Sequence, residues 1–351
     1  MTERENYLAA ADVRGGEWIP CGVSISPATW AKYREDLEDV LLRHPTIYKP
    51  FEKGQRDFDA FGPAYREGER YTDNWGCVWN NAQGGLEGIV VEHPLADWSA
   101  LDTYRAPDPL RQHERGDRSD WADVRAQIEQ QRANGELTRG GGDRFFERLH
   151  FLRGFENLMV DLATDAPELK HLIRLVLDYN MVVVGKWLEI GVDVMGFGDD
   201  LGQQDRAMMR PEMFRRHLKP GYAEMFEPCR AAGCHVYLHC DGHLLELMDD
   251  LIDAGVTIIN PQVGANGIAN LARDVKGRIA ISLDLDRQGV LPFGSPADVR
   301  EHVREAVMGL GSPRGGLMLG AEINPSVPLQ NVDAVCAAFE EFRTYRAARP
   351  G

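Results

Sequence analysis

The chain has 351 residues, and 39 Lys and Arg against 55 Asp and Glu give a formal net charge of −16 at pH 7. This charge argues against a nucleic-acid partner, because a grip on phosphates needs clustered cations and no such cluster is visible. No apolar run reaches the roughly 18 to 20 residues of a membrane span, and the N-terminus lacks the apolar segment of a secretory signal. We therefore expect a cytoplasmic globular protein that does not bind membranes.

The first half of the chain has the weaker pattern. Residues 18–25 predict an early strand, and apolar residues at helical spacing predict a helix over 27–44. The stretch of about 50–120 is rich in Gly, Pro, aromatic and charged residues, which is typical of an inserted β-hairpin or lid. A helix over 121–135 and a short strand over 137–143 are predicted to follow.

From about residue 165 the sequence alternates between helical and strand patterns. Helices are predicted over 167–191, 211–233, 243–255, 267–275, 295–311 and 332–345. Compact apolar strands are predicted over 192–200, 234–243, 256–262, 278–286 and 316–324. Such strands, separated by helices, indicate a parallel sheet that is covered on both faces.

Two architectures fit this alternation, a (β/α)₈ TIM barrel and a doubly wound sheet. No strand is followed by a glycine-rich phosphate-binding motif, and the length suits one barrel with insertions. We predict an α/β protein whose residues 1–351 form one TIM-barrel domain, with the hairpin or lid of about 50–120 inserted in its first half.

Each of the five later strands ends in polar residues. These are Asp199 and Asp200, then His239, Cys240, Asp241 and His243, then Asn260 and Gln262, then Asp284 and Asp286, and finally Glu322 and Asn324. In a parallel barrel the carboxyl ends of all strands open onto one face, which carries the active site. The pattern favours an enzyme over a barrel that only binds a ligand or partner.

The motif His-Cys-Asp-Gly-His suggests metal chemistry. Strand alternation sends His239 and Asp241 to one side and Cys240 to the other. A histidine and a carboxylate on one side can bind a divalent metal such as zinc, and Glu322 could supply a third ligand. The same pair could instead be a hydrogen-bonded catalytic pair, or serve structure alone.

The paired aspartates also allow more than one role. Asp284 and Asp286 lie on one side of their predicted strand, where they could share a proton, orient a cation or form an ion pair with Arg287. Asp199 and Asp200 could be catalytic, or could cap the segment that follows.

Five segments with these residues carry a family resemblance. In order they are GVDVMGFGDDLGQQ, MMRPEMFRRHLKPGYAEMF, VYLHCDGHLLELMDDLIDAGVTIINPQ, DLDRQGVLPFGSPADVREHVREAVMGLG and GGLMLGAEINPSVPLQNVDAV. From about Phe145 to Phe342 the chain resembles the uroporphyrinogen decarboxylase superfamily, which includes cobalamin-linked zinc methyltransferases. The resemblance implies a (β/α)₈ barrel and, as in the decarboxylases, a homodimer.

Two departures separate the chain from true uroporphyrinogen decarboxylases and from the zinc enzymes. The arginine-rich segment that holds substrate carboxylates in the decarboxylases is missing, since residues 18–37 read WIPCGVSISPATWAKYREDL. The zinc methyltransferases resemble one another in a His-x-Cys and a later Cys that hold the metal. Here the first pair becomes His239 and Asp241, and the later position falls at Ala321 or Glu322, so the histidine matches and neither sulfur position does. A set of His239, Asp241 and Glu322 would still be a chemically reasonable zinc site.

We therefore predict a zinc-dependent methyltransferase or demethylase that acts on a small methylated compound, with a corrinoid carried by a partner protein. His239, Asp241 and Glu322 would bind the metal. Catalytic roles are predicted for Asp199, Asp200, His239 and Asp284, and substrate binding for Asn260, Gln262, Asp286 and Asn324. The alternative is a cofactor-free decarboxylase of a small aromatic or heterocyclic acid, in which Asp199 or Asp200 stabilises a protonated intermediate and His239 protonates the carbanion.

Overall fold

The computed structural model describes residues 1–345, which divide into two compact units. We call residues 1–67, 83–87 and 258–345 the terminal unit, and residues 68–82 and 88–257 the central unit. Both units have an α/β organisation with parallel strands, as the alternating sequence pattern predicts. Within residues 1–345, no helix has the length and apolar character that crossing a membrane requires.

Helices and short strands follow one another through residues 1–345. The helices are α1 (Glu3–Ala11), α2 (Pro27–Leu42), α3 (Trp121–Ala133), α4 (Phe146–Arg153), α5 (Phe155–Thr164), α6 (Leu169–Ile190), α7 (Pro211–His217), α8 (Lys219–Ala231), α9 (Met248–Ala254), α10 (Val263–Asn266), α11 (Ile268–Asp274), α12 (Val290–Phe293), α13 (Pro296–Leu310) and α14 (Leu329–Phe342). The strands are β1 (Cys21–Ile25), β2 (Arg70–Thr72), β3 (Val78–Asn80), β4 (Ile89–Glu92), β5 (Gln112–His113), β6 (Gly116–Asp117), β7 (Arg139–Gly141), β8 (Val194–Gly198), β9 (His235–Cys240), β10 (Ile258–Pro261), β11 (Ala280–Asp284) and β12 (Leu317–Ile323).

The terminal unit contains four parallel strands in the order β10, β11, β12, β1. Most residues of β10, β11 and β12 are buried on both faces, which matches their continuous apolar sequences. Helix α14 packs against both α2 and α13 in this unit.

The central unit contains the parallel strands β7, β8 and β9, with β8 in the middle. It also contains a three-stranded antiparallel sheet of β2, β3 and β4 and the short hairpin of β5 and β6. The antiparallel strands fall in the stretch of about 50–120 for which a hairpin or lid is predicted. That this stretch is inserted into a barrel, and that residues 1–351 form one domain, stay predictions.

Some predicted helices agree with the structure nearly to the residue. The predictions over 167–191 and 295–311 correspond to α6 and α13, and Ser295 forms a capping box with Asp298 at the start of α13. Such a cap satisfies backbone N–H groups that would otherwise lack partners. The local sequence therefore marks where α13 begins.

The prediction of a single helix over 211–233 is wrong. The chain forms α7 and α8 with a break at Leu218, and Pro220 lies in the first turn of α8. Proline has no N–H, so it suits a first turn but would interrupt a continuous helix. The helix predicted over 243–255 is shorter in the structure than in the prediction, since α9 begins at Met248 and ends at Ala254.

Helices α1, α4 and α5 have no counterpart in the predictions. For α1 a local signal existed, since Thr2 and Glu5 form a capping box. The N-cap residue of α4 is Phe145, whose side chain makes no capping hydrogen bond. Its cap comes from a distant residue that belongs to the candidate site.

Candidate functional site

Strand β9 positions the central histidine of the site. Along β9, Cys240 is fully buried, whereas Tyr237 and His239 are partly exposed. The Cys240 Sγ accepts a hydrogen bond from the N–H of Leu201 at 3.1 Å on its own side. The predicted alternation is therefore confirmed, with His239 and Asp241 on the side opposite Cys240.

Three side chains converge at the carboxyl ends of β8 and β9. One ligand atom each from Asp200, His239 and Asp241 lies within 4.8 Å of the others. The His239 Nε2 is 3.3 Å from Asp241 Oδ1, and these side chains are 35% and 30% exposed. The N–H of Asp241 donates to Asp200 Oδ1 at 3.3 Å. We call Asp200, His239 and Asp241 the His239 triad.

The charges of the His239 triad favour a cation among them. Burial raises the pKa of Asp200, and the nearby negative charge of Asp241 raises this pKa further. His239 and Arg144 act in the opposite direction on the same pKa. Two carboxylates that repel each other beside an imidazole are stabilised by a shared cation.

The donor set of the His239 triad suits a divalent metal. Imidazole nitrogen and carboxylate oxygen are both ligands of zinc, and catalytic zinc sites commonly use three protein ligands with a position left for water or substrate. Partial exposure of the triad leaves access for a small molecule. The residues present therefore fit the zinc ion that the resemblance implies. Asp200 is in the position of a candidate ligand, whereas the sequence predicts a catalytic role for it.

Asp199 lies next to the triad but faces away into the protein. It is 2% exposed, and its carboxylate accepts hydrogen bonds from the N–H groups of Phe145, Phe146 and Glu147 and from the Tyr222 hydroxyl. Burial raises its pKa to about 6, although these hydrogen bonds act to lower it. Asp199 thus supplies the cap of α4, and its catalytic role stays a prediction.

In the terminal unit the acidic strand ends meet an arginine. Arg287 Nε lies 3.6 Å from Asp284 Oδ2, and Arg287 Nη1 forms an ion pair with Glu322 Oε2. We call Asp284, Arg287 and Glu322 the Arg287 triad. Of the alternatives for Asp284, the structure shows the ion pair with Arg287. The roles of Asp284 in catalysis and of Glu322 as a metal ligand stay predictions.

The four predicted substrate-binding residues lie in the terminal unit. Asp286 accepts hydrogen bonds from three consecutive N–H groups at the start of α12, those of Gln288, Gly289 and Val290. The side chain of Asn260 donates to the Ser282 carbonyl, and the backbone of Gln262 forms a bridge with that of Asp284. The Asn324 carbonyl accepts from Val327. These contacts organise loops and strand ends, and substrate binding by all four stays a prediction.

Sequence reasoning missed a buried arginine of the central unit. Arg148 on α4 is fully buried and forms ion pairs with Asp73, Glu114 and Asp143. Its guanidinium also lies 4.9 Å from the ring centroid of Trp75. Two of these three carboxylates come from segments distant in sequence, so no local spacing could have indicated the network.

Known proteins share parts of this architecture. No curated protein matches the chain. A solved methyltransferase from Methanosarcina mazei has 18% sequence identity and a TM-score of 0.68, and the match covers 97% of this chain and 99% of that chain. This similarity concerns the fold.

Two other solved structures are less similar. D-psicose 3-epimerase has 9% identity and a TM-score of 0.38, with 64% of this chain and 81% of that chain covered. Dihydropteroate synthase from Xanthomonas albilineans has 21% identity and a TM-score of 0.29, with 41% and 52% covered. Scores this low carry no argument about this chain.

A family model decides the assignment. The model described as Uroporphyrinogen decarboxylase (URO-D) matches residues 149–342, which is more than half of the 351 residues. The match covers most of the region, from about Phe145 to Phe342, in which the sequence resembles that superfamily, and it includes all three residues of the His239 triad. The chain belongs to the uroporphyrinogen decarboxylase (URO-D) family.

Proposed function

We propose that the protein is a metal-dependent methyltransferase or demethylase that acts on a small methylated compound. The observation that carries this proposal is the His239 triad, whose three ligand atoms lie within 4.8 Å of one another. The fold similarity to a methyltransferase of Methanosarcina mazei supports methyl transfer within the family. Zinc is the metal we propose.

Asp200, His239 and Asp241 would hold the metal. A bound zinc ion supplies Lewis acidity toward the oxygen, nitrogen or sulfur that carries the substrate's methyl group. The protein keeps these ligands in place through the register of β8 and β9, in which Gly198 pairs with His239. Asp199, which precedes Asp200, fixes the start of α4, because its carboxylate accepts hydrogen bonds from three backbone N–H groups there.

The same proposal includes a methyl acceptor and the closure of the barrel. The methyl group would pass to a corrinoid carried by a partner protein, as the family resemblance implies. The strands would close into a (β/α)₈ barrel, for which the parallel order of β7 to β9 and of β10 to β1 gives support. A cytoplasmic location and a homodimer stay predictions from the sequence.

Metal content tests the proposal directly. Protein purified without chelator should contain about one zinc per chain by elemental analysis, and His239→Ala, Asp200→Asn and Asp241→Asn should each lose most of it. Asp205→Asn is the matched control, because Asp205 is an exposed aspartate of the same unit with a side chain that is 74% exposed. The zinc-loaded protein should methylate free cob(I)alamin when screened methyl donors are added, and the absorbance change reports the product.

A different pattern would reject this function. If the wild-type protein carried no stoichiometric transition metal and His239→Ala changed nothing, the metal-dependent function would be wrong. Release of CO₂ from a screened aromatic or heterocyclic acid, unaffected by chelator, would instead identify the cofactor-free decarboxylase.

A further inference from the structure

Asp200 lies in the loop just beyond β8, which ends at Gly198. The N–H groups of Asp199 and Leu201, on either side of Asp200, both donate to residues of β9, at 3.1 Å. Neighbouring residues at the end of a strand face opposite sides, so Asp199 points into the protein where Asp200 points to the triad. The contacts of these flanking residues therefore determine where the Asp200 carboxylate lies.

The carboxylate of Asp199 joins this loop to α4 and α8. Three backbone N–H groups at the start of α4 donate to it at 2.8 to 3.1 Å, and the hydroxyl of Tyr222 on α8 donates to it at 2.8 Å. Hydrogen bonds to a charged acceptor are stronger than those between neutral groups, and a buried carboxylate that loses a donor still bears the cost of its burial. The donors thus hold the Asp199 side chain, and with it the loop, in one place.

The ring of Tyr222 is fixed by packing. It is fully buried, and its centroid lies 5.1 Å from that of Phe145, 5.7 Å from that of Phe214 and 5.6 Å from that of Phe226. Gly221, next to it on α8, lets the helix backbone approach Phe145, because a Cβ there would lie 2.5 Å from that ring. The hydroxyl therefore has a fixed position, and a phenylalanine would keep the packing and lose only the hydroxyl.

Asp200 itself is held weakly. Its carboxylate accepts the N–H of Asp241 at 3.3 Å, which is longer than most hydrogen bonds of this kind. His239, by contrast, lies within β9 and is paired with a residue of β8. A functional site requires its groups within about 0.5 Å of the productive geometry. Asp200 therefore depends on the attachment of the neighbouring Asp199 more than His239 does.

We propose that Tyr222 is a positioning residue of the metal site. Through the Asp199 carboxylate, its hydroxyl fixes the loop beyond β8, and this loop keeps Asp200 within reach of the ion that His239 and Asp241 bind. Tyr222 touches neither the metal nor the substrate. The inference rests on the proposed function, because it concerns the site of the same metal.

Zinc affinity, measured by competition with a chelator, tests the inference in Tyr222→Phe, in Asp200→Asn and in the double variant. Tyr222→Phe should weaken zinc binding about tenfold, as is typical when a group that supports a metal ligand is removed. In the Asp200→Asn background the same change should alter the affinity by less than about twofold, because Tyr222 acts through Asp200.

Tyr179→Phe is the matched control. Tyr179 is a buried tyrosine of the same unit, 3% exposed, and its hydroxyl donates to the Gln112 carbonyl at 2.7 Å. Removing this hydroxyl should lower the stability of the protein, as in Tyr222→Phe, and leave zinc affinity as it is in the wild type.

The visible absorption of the cobalt-substituted protein gives a readout that a loss of stability alone does not change, because it reports the geometry of the ligands around the ion. The spectrum of Tyr222→Phe should shift toward that of Asp200→Asn, whereas Tyr179→Phe should keep the wild-type spectrum. If Tyr222→Phe does not fold, Asp199→Asn gives the same comparison, since it weakens the same hydrogen bonds.

Two results, each with stoichiometric zinc in the wild type, would overturn the inference and leave the proposed function standing. One is wild-type zinc affinity in Tyr222→Phe, and the other is a loss in the double variant that equals the sum of the two single losses. A wild-type protein without zinc would instead reject the metal-dependent function, and this inference with it.

Discussion

The strand ends of the two units use the same kind of residue in different ways. In the central unit Asp200 and Asp241 gather around His239, whose imidazole nitrogen can bind a metal. In the terminal unit Asp284 and Glu322 gather around Arg287, whose guanidinium has donors only and stays charged. Two carboxylates beside an imidazole suit a bound cation, whereas two carboxylates beside a guanidinium already have a cationic partner within the protein.

The comparison shows that acidic strand ends alone do not identify a metal site. Both triads have two carboxylates at the ends of adjacent parallel strands or in the loop that follows. We infer that the nitrogen side chain of each triad sets its chemistry, because an imidazole offers a lone pair to a metal and a guanidinium does not. The predictions below test this difference between the two triads.

Replacing the histidine by an arginine should convert the first triad into the second. We expect His239→Arg to lower zinc affinity by at least about 100-fold, because a ligand is lost and a positive charge enters the site. The new guanidinium should pair with Asp200 and Asp241, so the melting temperature of the metal-free protein should not fall below that of metal-free His239→Ala. Zinc titration and thermal melts of both variants measure these effects.

If His239→Arg retained wild-type zinc affinity, the nitrogen side chain would not set the chemistry. Arg206→Met is the control for a change of one arginine charge, since Arg206 is exposed and pairs with the equally exposed Asp205.

Removing the arginine from the Arg287 triad should destabilise the protein without affecting the metal. The Arg287 and Asp284 side chains are only 13% and 8% exposed, so Arg287→Met leaves a buried carboxylate without its counter-charge. We expect the free energy of unfolding to fall by about 3 kcal/mol in denaturant titrations, with zinc content unchanged. A loss of zinc together with normal stability would contradict the separate roles of the two triads.

His150 and His239, both in the central unit, differ in their surroundings, because His239 is partly exposed and His150 is enclosed by aromatic rings. His150 on α4 packs against the rings of Phe146, Phe151 and Phe155, and burial lowers its pKa to about 3 from an ordinary 6.5. A lowered histidine pKa means that the folded state binds fewer protons than the unfolded state. Its contribution to stability is therefore complete above pH 6.5 and declines as pH falls below it.

Between pH 7.5 and 5.5 this effect should cost about 1 kcal/mol of unfolding free energy. His150→Phe should reduce the pH dependence by that amount. Urea titrations at the two pH values measure the difference. An identical slope in His150→Phe and wild type would show that His150 is not held neutral.

The smallest expected effect concerns the exposed member of the Arg287 triad. The Glu322 side chain is 37% exposed, so solvent screens its ion pair with Arg287 more than it screens that of Asp284. Glu322→Gln should lower the free energy of unfolding by less than about 1 kcal/mol and leave zinc content unchanged. A loss of zinc in this variant would show that Glu322 is a metal ligand, as the sequence predicts.

The parts of the fold that depend on local signals were predictable. The period of the strands placed His239 and Asp241 on one side, and Ser295 marked the start of α13. Alternation could also have separated Asp199 from Asp200, because neighbouring residues at a strand end face opposite sides. The start of α4 could not be predicted, because its cap is Asp199, more than fifty residues farther along the chain.

The membership of Asp200 in the His239 triad depends on strand register. Gly198 pairs with His239, and continuing this register by two residues brings Asp200 beside Asp241. Register is set by packing across the sheet and is not visible in the sequence of either strand. The pairing of Arg148 with Asp73 and Glu114 was also not predictable, because it depends on packing between segments that are distant in sequence.

Anomalous X-ray scattering at the zinc absorption edge, measured on crystals of the zinc-loaded protein, locates the metal. We expect a peak within coordination distance of Asp200, His239 and Asp241 that disappears in His239→Ala. A map without a peak at these residues, or with a peak between Asp284 and Glu322 instead, would contradict this expectation.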